Sequence, residues 1–232
     1  MKKSILTILG LVALIFFGNL VSQAKADVSA TVTADNHYGL YYGALDGSGL
    51  TLVGRNEVGP DGSPGAYSWS FPEAYTFGAP AGDYLYMLVW DDEKTQSWIG
   101  EFTLPDASLL YSSTADWEFY VSSNSNPGSF GALPSLGTVS TDIAGAVWGA
   151  PLASTPNGGG DWGIITGISP SADFIWHDTF GDVSSSDANY VIFKSRLPIP
   201  EVPGAGVPEP ASMLLFGMGS GLLGFVRNRK KN

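Results

Sequence analysis

The run DYLYMLVWDD, residues 83–92, is the part of the chain from which the fold is most directly read. It follows the turn pair Ala81-Gly82 and is built from aromatic, branched and long apolar side chains, the residues that favour a pleated strand. Outward from it the same texture recurs in VSATVTA (28–34), YGLYYG (38–43), LTLVG (50–54), SWIGEFTL (97–104), DWEFYVSS (116–123) and NYVIFKSRLPI (189–199). Several of these runs alternate with period two, and Asp46-Gly47, Asp61-Gly62 and Asn157-Gly158 punctuate the chain as turns. No stretch of the body keeps an i, i+3, i+4, i+7 apolar pattern long enough for a confident helix. The pattern predicts an all-β body, an antiparallel β-sandwich or jelly roll. Residues 122–170 change in character: SSNSNPGSFGALPSLG and ASTPNGGGDWG read as a loop-rich insertion, with one short apolar strand or helix expected at 143–148.

The two ends differ from this body. At the N-terminus, Lys2 and Lys3 precede an apolar core over 5–21, and Ala24-Lys25-Ala26 forms a small-x-small cleavage site. This is the pattern of a secretory signal peptide, 1–26, with cleavage between Ala26 and Asp27; an uncleaved anchor is the alternative. At the C-terminus, residues 211–226 form an uncharged run that as a helix spans roughly 24 Å at 1.5 Å per residue. That is somewhat short of a hydrocarbon core of roughly 30 Å. Arg227, Arg229, Lys230 and Lys231 extend its reach by snorkelling and place the extreme C-terminus on the cytoplasmic side. A signal helix and a C-terminal transmembrane helix therefore bracket the β body. Between body and tail, LPIPEVPGAG (197–206) reads as a stiff proline-rich spacer.

Val207, Pro208, Glu209, Pro210 and Ala211, then a short glycine-containing apolar helix, then the basic cluster, form an ordered set over 207–232 that resembles a PEP-CTERM sorting signal. Proteins with that signal are substrates of exosortase, a transpeptidase-like membrane enzyme of Gram-negative bacteria that make extracellular polysaccharide. The resemblance implies export, an inner-membrane-anchored precursor, cleavage near Pro208-Glu209-Pro210 and delivery to the cell surface or extracellular matrix. A plain C-terminal anchor is the alternative.

With both ends removed the body, 27–207, holds four basic against 21 acidic side chains, a formal charge of −17. Charge of this sign excludes binding to nucleic acid or to an anionic membrane surface, and leaves neutral sugars, cations or basic partners. The absence of cysteine excludes disulfides, thiolate metal sites and cysteine nucleophiles.

Within the body, TADNHYGLYYG (33–43), WSFPEAYTF (69–77) and PAGDYLYMLVWDD (80–92) resemble elements of galactose-binding-like jelly-roll modules. Asp35, Asn36, Tyr38, Leu40, Tyr41 and Gly43 match the first of those elements, and Ala81 to Leu85 the second. ADFIWHDTF (172–180) with NYVIFKSRLPIP (189–200) resembles a strand pair that precedes the Asp-Asn element in those modules but follows it here. Modules of the resembled type often hold one structural Ca²⁺, for which Asp35, Asn36, Asp46, Asp91 and Asp92 offer hard oxygen ligands; solvated turn carboxylates are the alternative. No other cofactor is required. Trp148 and Trp162, in the loop-rich segment, are the expected exposed platforms for sugar stacking, with Arg55 a nearby hydrogen-bonding cation. No G-x-S-x-G elbow occurs, and His37 and His177 read as strand-end or loop residues, so the expectation is a non-catalytic structural or carbohydrate-binding component of the exopolysaccharide or biofilm layer. A secreted hydrolase acting on that polysaccharide is the alternative.

Overall fold

The computed structural model describes residues 25–56, 69–90, 96–128, 132–180 and 188–202. Among the described residues eleven strands form two antiparallel sheets: β1 (Lys25–Asp35), β2 (His37–Gly43), β3 (Thr51–Arg55), β4 (Glu73–Pro80), β5 (Tyr84–Trp90), β6 (Ser97–Thr103), β7 (Leu109–Tyr111), β8 (Trp117–Ser125), β9 (Ala153–Pro156), β10 (Asp173–Trp176) and β11 (Asn189–Ser195). One sheet has the order β4-β1-β6-β10-β9, with β7 also on β6, and the other β3-β2-β5-β11-β8. The all-β expectation is met, with one addition: a helix, α1 (Leu136–Gly145).

Alternation builds the core between the sheets. Val28, Ala30, Val32 and Ala34 of β1 face Tyr38, Leu40 and Tyr42 of β2 and Leu85, Met87 and Val89 of β5 in one buried cluster. Trp98 and Trp117 meet edge to face at 4.7 Å in the same layer, the arrangement that aromatic quadrupoles favour. Beside them, a Cβ on Gly100 would lie 2.8 Å from Val32, so the glycine admits the bulk of its neighbours.

Strand β5 occupies the centre of its sheet, between β2 and β11. Its unbroken apolar sequence has a direct cause. Leu85, Met87 and Val89 enter the inter-sheet core, while Tyr86, Leu88 and Trp90 are buried on the opposite face beneath Val139 and Ile143 of α1. The other sheet is covered in the same way: Trp162, Ile165 and Ile168 pack on Ile99 and Phe174. The segment expected as a loop-rich insertion is thus the outer cladding of both sheets.

Local chemistry positions α1. Ser135 is its N-cap, with Oγ accepting from the Thr138 amide at 3.1 Å, and Val139 and Ile143 share the buried face. Burying those two side chains contributes about 1.5–3 kcal/mol each. Asp142, on the same side, accepts from Ser122 Oγ at 2.7 Å and from Asn124 Nδ2 at 3.2 Å, and Tyr190 Oη donates to it as well. The helix is therefore latched to the sheet by a buried carboxylate.

Residues 25–202 form one unit, so the body extends past the expected limit at 196. Ile199 is 2 % exposed; its amide donates to Asp83 O at 2.7 Å, and its carbonyl accepts from the Gly82 amide at 2.9 Å. The first residues of the expected spacer are docked chain. The start of β1 flanks the same turn, with Lys25 opposite Pro80 and Ala26 opposite Ala79. Both ends of the unit therefore meet at the 80–83 turn. Among the described residues no helix is long and apolar enough to cross a membrane. The expected signal helix, apart from its last two residues, and the expected helix at 211–226 lie outside the described residues.

Candidate functional site

The turn after β2 and the end of α1 enclose an open groove of about 610 Å³ on the outer side of the β3-β2-β5-β11-β8 sheet. Its polar edge is the turn. Asp46 Oδ1 accepts from the Ser48 amide at 3.0 Å and from Ser48 Oγ at 2.7 Å, an Asx turn written by the Asp-Gly-Ser sequence. These two donors hold the Asp46 carboxyl below its usual range, hydroxyl first, so the group is anionic at neutral pH. Gly47 has φ +75°, and its carbonyl accepts from Ser140 Oγ of α1 at 2.7 Å, which clasps turn to helix.

The aromatic edge of the groove is Trp148, half-buried, its ring 6.3 Å from Tyr86 and 6.4 Å from Tyr120. Lys194 Nζ lies 5.1 Å from the Trp148 centroid and 4.8 Å from that of Tyr84, and pairs with Glu118 Oε2 at 2.8 Å. Arg196 shares the same carboxylate at 3.1 Å. Leu45 and Ala146 complete the wall. A partly exposed indole beside an ionised carboxylate and a serine is a surface on which a sugar ring can stack and hydrogen-bond.

The other sequence candidates are placed elsewhere. Trp162 is 2 % exposed, stacked on Phe174 at 4.7 Å, and its Nε1 donates to Asp35 Oδ2 at 2.9 Å. The expectation of an exposed platform there is corrected: the cladding loop folds the indole inward onto a sheet face that would otherwise be wet. Arg55 lies on β3 opposite Gly39, its Nε donating to Asn56 O at 3.2 Å, and does not line the groove.

Of the expected calcium ligands, the three described ones, Asp35, Asn36 and Asp46, do not converge. Asp35 and Asn36 precede β2 and Asp46 follows it, and a seven-residue strand spans roughly 20 Å. Asp35 is bonded to Trp162 and accepts from Asn36 Nδ2 at 2.9 Å, while the Asn36 carbonyl accepts from Asn56 Nδ2 at 2.5 Å. Asp91 and Asp92 lie outside the described residues, and among the described residues no three His, Asp or Glu side chains are grouped to hold a metal. His37 stacks on Trp90 at 4.8 Å, and His177 is buried with Nε2 3.7 Å from Asp178. Both lie at strand ends, as the sequence predicts.

The sorting residues Val207, Pro208, Glu209, Pro210 and Ala211, the cations Arg227, Arg229, Lys230 and Lys231, and the signal residue Ala24 lie outside the described residues. Ala26 and Asp27 are the second and third residues of β1. For the tail, comparison with known families decides: residues 206–230 match the model of the PEP-CTERM protein-sorting motif. The chain carries a PEP-CTERM motif. That motif marks it as an exported, membrane-transiting surface protein processed by an exosortase. No curated protein and no solved structure matches the chain.

Proposed function

We propose that the PEP-CTERM protein is a non-catalytic component of the exopolysaccharide or biofilm layer, and that its sandwich presents a carbohydrate-facing groove at Trp148. The signal peptide is removed before Asp27. The precursor is held in the inner membrane of a Gram-negative cell by residues 211–226, and cleavage near Pro208-Glu209-Pro210 delivers the sandwich to the surface or matrix. The observation that carries the sugar reading is the half-buried Trp148 bordering the same groove as Asp46 and Ser48.

Strand order supports the jelly-roll reading and the resemblance to galactose-binding-like modules. Taken cyclically from β3, the strands β3, β4, β5, β6, β10, β11, β1 and β2 pair as first-eighth-third-sixth and second-seventh-fourth-fifth. Those are the neighbours of two interlocked Greek keys. A circular permutation accounts for the 172–200 strand pair following the Asp35-Asn36 element instead of preceding it. Permutation needs adjacent ends of the folded unit, and here the two ends of the 25–202 unit both lie by the 80–83 turn.

The test is retention of the secreted protein on the producing organism's own exopolysaccharide, with Trp148→Ala as the matched variant. Retention lost in the variant, with no new reducing ends released, supports the reading. Release of reducing ends would instead make the protein a hydrolase. A parallel arm in EDTA reports whether structural Ca²⁺ takes part.

A further inference from the structure

Resting on the reading of the Trp148 groove as a sugar site, we infer that its ligand is a glycan with unacetylated hexosamine units, whose ammonium group pairs with Asp46. Charge complementarity carries the inference. Among the described residues that line the groove, Asp46 is the one ionisable side chain and none is a cation. Lys194, whose Nζ lies over the Trp148 ring, is 3 % exposed and committed to Glu118 at 2.8 Å, so it offers nothing to a sugar carboxylate or sulfate. A body of formal charge −17, from four basic and 21 acidic side chains in 27–207, repels such anionic glycans before contact.

The details of the turn favour a cationic donor over a neutral one. The two Ser48 donors of the Asx turn converge on Asp46 Oδ1, and the carboxyl is exposed and open to a ligand. A charge-assisted bond to an ammonium is stronger than one to a neutral hydroxyl or acetamide. Trp148 also accommodates positive charge over its ring, as Lys194 Nζ at 5.1 Å demonstrates. Trp148 and Asp46 line one groove, so an amino sugar seated in it can set its apolar ring face against the indole and its ammonium against the carboxylate.

The chain contains its own control. Asp106 forms the same turn with Ser108, accepting from the amide at 2.9 Å and from Oγ at 2.5 Å, and lies outside the groove. The experiment is calorimetric titration of the secreted protein with a glucosamine tetrasaccharide and with its fully N-acetylated form. The proteins are wild type, Asp46→Asn, Asp106→Asn and Trp148→Ala. Asparagine sustains an Asx turn, so Asp46→Asn preserves the fold, and a thermal melt verifies this. The expected result is that the free amine binds about threefold or more tightly than the acetylated form, that Asp46→Asn removes the difference, and that Asp106→Asn keeps it. Equal affinity for the two sugars, still sensitive to Trp148→Ala, would overturn the amine inference and leave the sugar reading standing. Equal weakening by Asp106→Asn would also overturn it, because the attraction would then belong to the acidic surface at large. Binding of neither sugar would overturn the inference alone, since the sugar reading stands or falls on retention by the exopolysaccharide; binding indifferent to Trp148→Ala would sink both.

Discussion

Replacing Asp142 by Ala removes the acceptor on which three donors from the sheet converge. In the folded protein the Asp142 carboxylate is buried on α1 and bonded to Ser122 Oγ at 2.7 Å, to Asn124 Nδ2 at 3.2 Å and to Tyr190 Oη. Asn124 is exposed and rehydrates cheaply, whereas Ser122 and Tyr190 are buried and lose this acceptor. A buried donor stranded in this way costs about 1–3 kcal/mol, so Asp142→Ala should lower stability by about 3–4 kcal/mol. Asp142→Asn keeps one acceptor oxygen and should cost about half as much. Urea unfolding of the secreted protein, followed by tryptophan fluorescence, measures both. Tyr190 supplies a second readout, because burial, and next its bond to Asp142, push its phenol up to about 12 from 10. Below pH 10 the phenol is protonated in both folded and unfolded chains, and its contribution is constant. Between about 10 and about 12 the unfolded phenol ionises first, so stability falls across that window, and Asp142→Ala should narrow it. A loss below about 1 kcal/mol in Asp142→Ala, with the alkaline limb unchanged, would refute the idea that this carboxylate latches α1 to the sheet.

Two further outcomes follow from the packing. Ile199→Ala should destabilise the body by about 2–4 kcal/mol in the same urea assay, since the side chain is buried and its backbone pairs with the 80–83 turn; a neutral result would return 197–199 to the spacer. Gly47→Ala should cost about 2 kcal/mol and weaken exopolysaccharide retention, because φ is +75° and the new Cβ would lie 2.6 Å from the Ser140 carbonyl of α1; unchanged stability and retention would show that turn and helix move apart freely.

Local pattern alone determined the β class. β-prone runs bounded by Asp-Gly and Ala-Gly turns cannot satisfy a helical period, and the strands at 28–34, 38–43, 84–90 and 189–195 lie where those runs predict. The PEP-CTERM motif was legible for the same reason: a sorting signal is a linear string, and its recognition does not wait for folding. The helix was legible only at its end: a short strand or helix was expected at 143–148, whereas α1 runs over 136–145. Ten residues rich in Gly, Ser and Thr, with only Leu136, Val139 and Ile143 in helical register, are too few to hold a helix in water. It forms because the outer faces of Tyr86, Leu88 and Trp90 need cover and because Asp142 finds donors on β8 and β11. The two loop tryptophans were indistinguishable by composition. Trp162 turns inward onto Phe174 and Asp35, whereas Trp148 stays at the rim of a groove whose other wall lies about a hundred residues away in the chain. Which side chains share a face across such separations is set by sheet order and cladding, and these are long-range packing decisions that no local pattern encodes.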